Sequence, residues 1–221
     1  MVETVVIVDY GSGNLRSAQK AFERAAGENG VKARISVSSA ARDIAAADRV
    51  VLPGVGAFAD CKKGLEAAPG VLEALFETVS HKQRPFLGIC VGMQLMASQG
   101  LEHGSTKGFG WIPGTVRPLA DTISDSDLKI PHMGWNTLDF QRVHPLGQEL
   151  AHASDGPPHA YFVHSYHFDA EMKESIVATF RYGGQFAAAV ARENMFGVQF
   201  HPEKSQTTGL KLIANFLTWS P

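Results

Sequence analysis

Residues 84–97, RPFLGICVGMQLMA, decide the fold. A short apolar run (Pro85, Phe86, Leu87) meets Gly88, Ile89 and then Cys90; Val91 and Gly92 follow, and Met93–Ala97 reads as helix. The order is strand, tight turn, helix, with a cysteine at the turn. Gly88-x-Cys90-x-Gly92 is the cysteine counterpart of the G-x-S-x-G nucleophile elbow. Such a turn holds its nucleophile in a strained backbone conformation, and side chains two residues away on either side would clash. It also aims the first amides of the helix at the thiol. Those amides and the helix dipole favour thiolate and can hold a developing oxyanion. An isolated cysteine is more often a small buried hydrophobe. The flanking glycines and the strand–helix setting reverse that preference for Cys90.

Upstream of the elbow, short apolar strands alternate with helices, which argues a largely parallel sheet. Thr4–Val8 is a β-branched strand, and Asp9–Asn14 is a turn. A helix runs over Leu15–Ala26, with Asn14 as N-cap and Gly27 and Gly30 as stop signals. Gly11 and Gly13 hint at a dinucleotide loop, but Arg16 stands where its third glycine belongs, so no cofactor is expected. Strands over Lys32–Val37 and Arg49–Leu52 bracket a short helix at Arg42–Ala46, and residues 57–80 are helical with a break at Pro69-Gly70. After about residue 107 strands follow one another directly: Trp111–Pro118, Gly134–Phe140, Ala160–Phe168, Ile176–Tyr182 and Gln185–Arg192. This half reads as antiparallel or mixed sheet. Gly197–Phe200 is a last core strand and Gly209–Trp219 a closing helix. The expected fold is α/β, an open, mixed but mainly parallel sheet flanked by helices, in one domain over residues 1–221.

The last strand ends in Phe200-His-Pro-Glu203, so His201 and Glu203 leave it together, with a proline fixing the backbone between them. Ends of parallel strands line the ligand crevice of such sheets, and Cys90 also lies at a strand end. Contact between Cys90 and His201 is therefore sterically reasonable. His201 would take the thiol proton and return it to the leaving group, while Glu203 orients the imidazole.

Bulk properties exclude several classes. The 221 residues are 44% hydrophobic and 19% charged, enough for a full core, and the net charge of −2 leaves no electrostatic footprint for nucleic acid. The opening MVETVVIVDYG lacks a basic n-region and breaks at Asp9, so it is a strand, and no apolar run reaches membrane-spanning length. Two cysteines, Cys61 and Cys90, make no disulfide framework and fit a reducing cytoplasm. Cys61 reads as a bystander. His164 and His167 lack a third ligand at suitable spacing, so no metal site is expected. His144, His152 and His159 sit in polar stretches and read as solvated, while Trp111, Trp135 and Trp219 read chiefly as packing residues.

GICVGMQ and FGVQFHPEKS together resemble the class I glutamine amidotransferases, whose triad is Cys–His–Glu; the likeness spans essentially the whole chain. PGVGAF (53–58), PHMGWN (131–136) and YFVHSY (161–166) narrow it to the branch serving histidine biosynthesis. The resemblance implies that Cys90, His201 and Glu203 hydrolyse the side-chain amide of glutamine. It implies an oxyanion donor at Val91; a second is expected from Val55, because Gly54 takes either sign of φ and lets the Gly54–Val55 peptide turn its N–H inward or outward. Gly54, Gly56, Gln94, Glu102, Ser165 and Tyr166 would surround the substrate, although the stretch Ser98–Glu102 departs from the family's usual acidic run. It further implies a heterodimer with a (β/α)8-barrel cyclase subunit that consumes the ammonia. By their position, Trp135 and Asn136, in a turn-like motif, and Lys204, directly after Glu203, are expected to face that partner. PHMGWN and YFVHSY argue against an amidotransferase of anthranilate or pyridoxal phosphate synthesis, and an intact Cys–His–Glu set argues against a non-catalytic interaction module.

Overall fold

The computed structural model describes residues 2–123, 127–151 and 156–221. Its first half runs β1 (Glu3–Val8), α1 (Leu15–Glu28), β2 (Ala33–Ser38), α2 (Ala41–Ala45), β3 (Arg49–Gly54), α3 (Phe58–Ala67), α4 (Val71–Phe76), β4 (Phe86–Cys90) and α5 (Val91–Gln94). The second half adds β5 (Gln99–Gly100), β6 (Thr106–Lys107), β7 (Gly114–Pro118), β8 (His132–Thr137), β9 (Asp139–Phe140), α6 (Gln148–Ala151), β10 (His159–His164), β11 (Tyr166–Ala170), β12 (Ile176–Arg181), β13 (Gln185–Arg192), β14 (Met195–Val198) and α7 (Gln206–Thr218).

One eight-stranded sheet has the order β2-β1-β3-β4-β14-β13-β12-β9. The first five strands of that order are parallel and the last three join antiparallel. Its parallel centre explains why β1, β3 and β4 read as continuous apolar runs: both faces are covered, and Val5–Val8 are fully buried. A four-stranded sheet, β11-β7-β5-β6, and the ribbon β10-β8 carry the remaining strands. Helix α1 buries Ala18, Ala21, Phe22, Ala25 and Ala26, the stripe a 3.6-residue period puts on one face. Phe22 meets Phe216 of α7 edge-on at 6.2 Å. Arg49, buried at the start of β3, pairs with Glu3 and donates to the carbonyls of Phe216 and Trp219, which ties the end of α7 to the sheet. Among the described residues no helix is long and apolar enough to cross a membrane.

Several boundaries differ from the sequence reading. Asn14 makes no side-chain cap, and α1 runs through Gly27 to Glu28 before Gly30 turns left-handed. Strand β3 continues through Pro53-Gly54 because Gly54 still pairs with Cys90. The helix after the elbow is only Val91–Gln94. The long strand read over Ala160–Phe168 breaks at Ser165: β10 pairs with β8, and β11 with β7. The strand read over Gly134–Phe140 begins earlier, at His132, and is divided at Leu138 into β8 and β9, so Trp135 and Asn136 lie within a strand rather than in a turn-like segment.

Candidate active site

Strand β4 delivers Cys90 to the turn with φ 53° and ψ −111°, a left-handed backbone for a residue that has a side chain. The two glycines are required by contact. A Cβ on Gly92 would stand 1.8 Å from the Leu52 carbonyl oxygen, and one on Gly88 2.6 Å from the Gly92 oxygen. Cys90 is only 4% exposed.

Strand β14 lies parallel beside β4, with Val198 opposite Ile89. The chain running on past β14 therefore carries His201 to the same sheet edge as Cys90. His201 Nδ1 and Glu203 Oε1 are 2.9 Å apart, both side chains buried. A carboxylate only accepts, so Nδ1 carries the hydrogen and Nε2 is left free of a protein hydrogen bond in the cavity that Cys90 also lines. Burial alone would lower the imidazole's pKa. The negative charge of a Cys90 thiolate, and Glu203 through its hydrogen bond and charge, outweigh it and raise His201 to about 10. Ser205 braces this turn: its hydroxyl donates to the His201 carbonyl at 2.7 Å and accepts from Tyr161 N–H at 3.0 Å.

Thiol and imidazole open onto a cavity of about 370 Å³. Gly56, Gln94, Glu102, Ser165 and Tyr166 line it, as does Val91. Gly54 does not; it sits behind, where a Cβ would meet the Tyr10 hydroxyl at 2.7 Å and Gly92 N at 3.0 Å. Glu102 accepts the Phe58 N–H at 2.6 Å. Burial, with the charges of Glu102 and Asp121, holds the Tyr166 hydroxyl above its ordinary pKa. Gln94 is buried, and its amide nitrogen is committed to the Tyr166 carbonyl and to Gln199.

Val55 lines the cavity, but its N–H donates to Ser12 Oγ at 3.0 Å, and the Ser12 hydroxyl returns to the Val55 carbonyl at 2.6 Å. Cys61, read as a bystander, donates to the same carbonyl at 3.3 Å. Of the two residues expected to supply oxyanion donors, Val91 lines the cavity at the elbow, while the Val55 N–H is turned to Ser12.

Of the residues read as partner-facing, Trp135 is 49% exposed and Lys204 is exposed, with its ammonium 5.6 Å from the Tyr161 ring centre. Asn136 is half-buried and donates to the Arg181 carbonyl at 2.8 Å. Trp111 and Trp219 are core residues. His164 lines the cavity with both ring nitrogens engaged, and His167 meets Thr122 Oγ1. Among the described residues no group of three or more His, Cys, Asp or Glu could hold a metal. His144 is not solvated: it packs on Phe196 and Trp219, and burial lowers it to about 4. His159 is exposed, and His152 lies outside the described residues. Sequence reasoning missed Gln199, whose amide points at Cys90 Sγ from 3.7 Å. A glutamine inside the apolar run Phe196–Phe200 was the signal, since a fully buried amide needs polar partners.

A strained thiol, an imidazole and a buried carboxylate so placed make a site for acyl transfer through a thioester. The chain belongs to the class I glutamine amidotransferase family, whose model, Glutamine amidotransferase class-I, matches residues 6–219. Among its relatives, "Imidazole glycerol phosphate synthase subunit HisH" of Brucella abortus is 58% identical over 98% of this chain and 99% of that protein. The proteins of that name from Agrobacterium fabrum and Rhodospirillum rubrum are 58% and 56% identical at the same coverage. Solved structures agree on the fold. A glutamine amidotransferase matches with a TM-score of 0.68 at 17% identity over 96% of both chains. Another, from Thermotoga maritima, matches with 0.62 at 16% identity over 92% of this chain and 77% of that one.

Proposed function

We propose that this chain is the glutaminase subunit of imidazole glycerol phosphate synthase, acting in histidine biosynthesis. It hydrolyses glutamine to glutamate and ammonia and passes the ammonia to a cyclase subunit. The observation that carries the reading is the strained Cys90 beside a His201 held by Glu203, in a chain 58% identical to relatives of that name.

The chemistry follows from the side chains. His201 takes the Cys90 proton, and the thiolate attacks the carboxamide carbon of glutamine, forming a C–S bond and an oxyanion. The imidazolium then protonates the departing nitrogen, the C–N bond breaks, and ammonia leaves a thioester. Water, deprotonated by His201, attacks that thioester; the C–S bond breaks and glutamate is released. Glu203 keeps the proton on Nδ1 and stabilises the imidazolium. Val91 N–H is the first oxyanion donor. The second is Val55 N–H, once the Gly54–Val55 peptide turns away from Ser12. Gly56, Gln94, Glu102, Ser165 and Tyr166 surround the amino-acid end of glutamine, with Glu102 suited to the α-ammonium by its charge.

The partner is a (β/α)8-barrel cyclase in a heterodimer, contacted through Trp135, the strand bearing Asn136, and Lys204. It uses the ammonia on a phosphoribosyl-formimino carboxamide ribonucleotide. The products are imidazole glycerol phosphate and an aminoimidazole carboxamide ribonucleotide, and the setting is the cytoplasm. Reconstitution with the cyclase tests this. The Cys90→Ser complex should lose glutamine-dependent synthesis yet keep ammonium-dependent synthesis; glutamine-dependent synthesis at the wild-type rate would overturn the reading.

A further inference from the structure

Away from the triad, the structure buries a second run of titratable groups. In the β8–β10 ribbon His132 stands opposite His164, both almost fully buried. His164 Nδ1 lies 2.8 Å from the Tyr166 carbonyl oxygen, and its Nε2 lies 3.1 Å from His132 Nδ1. His132 Nε2 lies 3.3 Å from the amide nitrogen of Asn136. The direction of this chain is forced. A carbonyl only accepts, so His164 carries its hydrogen on Nδ1 and offers Nε2 as acceptor. His132 must then donate from Nδ1, which leaves its Nε2 to accept from Asn136. Both rings are neutral, since a proton added to either would set two N–H groups against each other or against the Asn136 amide. Burial acts the same way, lowering His132 to about 4 and His164 to about 3. Phe180 stacks on His132 at 5.2 Å and meets His164 edge-on at 5.4 Å, which fixes both ring planes.

The chain ends at a useful place. The Tyr166 carbonyl that His164 holds also accepts from Gln94, which donates in turn to Gln199, whose amide reaches Cys90 Sγ. Ser165 and Tyr166, at the break between β10 and β11, form a wall of the cavity. At the break Tyr166 is the first paired residue of β11, opposite Pro118, whose missing N–H leaves the Tyr166 carbonyl to His164 and Gln94, and the Ser165 carbonyl accepts from Leu119 N–H.

We infer that His132 and His164 are positioning residues of the glutamine site, a pair of neutral imidazoles whose one-way hydrogen bonds set the Ser165–Tyr166 wall against the substrate. The inference deepens the proposed function and rests on it. Neither ring touches the reacting atoms, so their loss acts on glutamine binding more than on turnover.

Two measurements test it on the complex with the cyclase. In wild type with 15N-labelled histidine, two rings should show the neutral Nδ1–H tautomer at pH 7; a spectrum without two such rings overturns the assignment. In variants, asparagine places its amide near Nδ1 and glutamine places it near Nε2. His164→Asn should therefore keep the bond to Tyr166 and His164→Gln should lose it. The glutamine KM of His164→Gln is expected about tenfold above that of His164→Asn, the upper end of what one neutral hydrogen bond controls, with kcat within about twofold. His132→Gln against His132→Asn should repeat the contrast more weakly. Equal KM values within each pair, or losses confined to kcat, overturn the positioning role. A wild-type complex that does not hydrolyse glutamine overturns the functional reading itself, which separates the two failures.

Discussion

Replacing Ser12 by alanine should raise glutamine hydrolysis by the isolated chain. The Ser12 hydroxyl both accepts the Val55 N–H at 3.0 Å and donates to the Val55 carbonyl at 2.6 Å, holding that peptide turned from the cavity. A neutral hydrogen bond contributes about 0.5–1.5 kcal/mol net, which corresponds to a population shift of about two- to tenfold toward the turned-in state. The ceiling is the worth of a full oxyanion donor, about a hundred- to a thousandfold. Cys61 still donates to the Val55 carbonyl at 3.3 Å, so the release is partial. The assay is steady-state glutamate production by the chain alone, by the complex, and by the complex with the cyclase's nucleotide ligand. If the loaded cyclase turns the Val55 peptide inward, Ser12→Ala should raise the first rate about two- to tenfold and change the last little, narrowing the gap between the isolated chain and the loaded complex. An unchanged or lower rate for the isolated, folded variant would refute the idea that Ser12 holds the second oxyanion donor out of the site.

Other outcomes follow from the same geometry. His201→Ala should cost far more glutaminase activity than Glu203→Ala, because the imidazole moves the proton while the carboxylate only orients it; the double variant should lose much less than the product of the two, and multiplicative losses would contradict a shared role. Lys204→Glu should weaken the coupling between glutamine hydrolysis and synthesis, and unchanged association together with unchanged synthesis would remove Lys204 from the interface. Acid should destabilise the chain. His132, His144, His164 and His167 all fold below their ordinary pKa, so the unfolded state binds more protons as pH falls from 6.5 toward about 4 for His132 and His144 and about 3 for His164. For His144 alone the fall from 6.5 to about 4 is worth roughly 3 kcal/mol, at about 1.4 kcal/mol per pH unit. His201 has the opposite sign, but its contribution is complete below pH 6.5 and fades only as pH rises through about 10. The thermal midpoint should therefore drop steadily between pH 6.5 and 4, and a flat midpoint over that range would show these rings to be less buried than described.

The elbow was legible because its constraints are local. Gly88, Cys90 and Gly92 announce a turn whose contacts lie within a few residues or on the adjoining strand, and the clash distances bear out the steric argument. The His201–Glu203 pair was legible for the same reason, with both residues leaving one strand end around a proline. What was hidden depends on register between distant segments. Ser12 reaches Val55, and His132 reaches His164, only once β1 lies beside β3 and β8 beside β10. Which way Asn136 points within its strand depends on the β8–β10 register and the approach of β12, which bring its amide to His132 and to the Arg181 carbonyl. Asn14 has the right residue type for a cap but a backbone, φ −86° and ψ 65°, that brings no side-chain oxygen to the helix.

The central claim is that Cys90 is the thiol that attacks glutamine, and its most direct test is covalent capture. The complex is treated with a glutamine-analogue electrophile at neutral pH and the peptides are read by mass spectrometry. Modification should approach one equivalent, fall on Cys90 and not on Cys61, and be slowed by excess glutamine in parallel with loss of hydrolysis. Full glutaminase activity after complete modification of Cys90, or labelling that glutamine does not slow, would contradict the account.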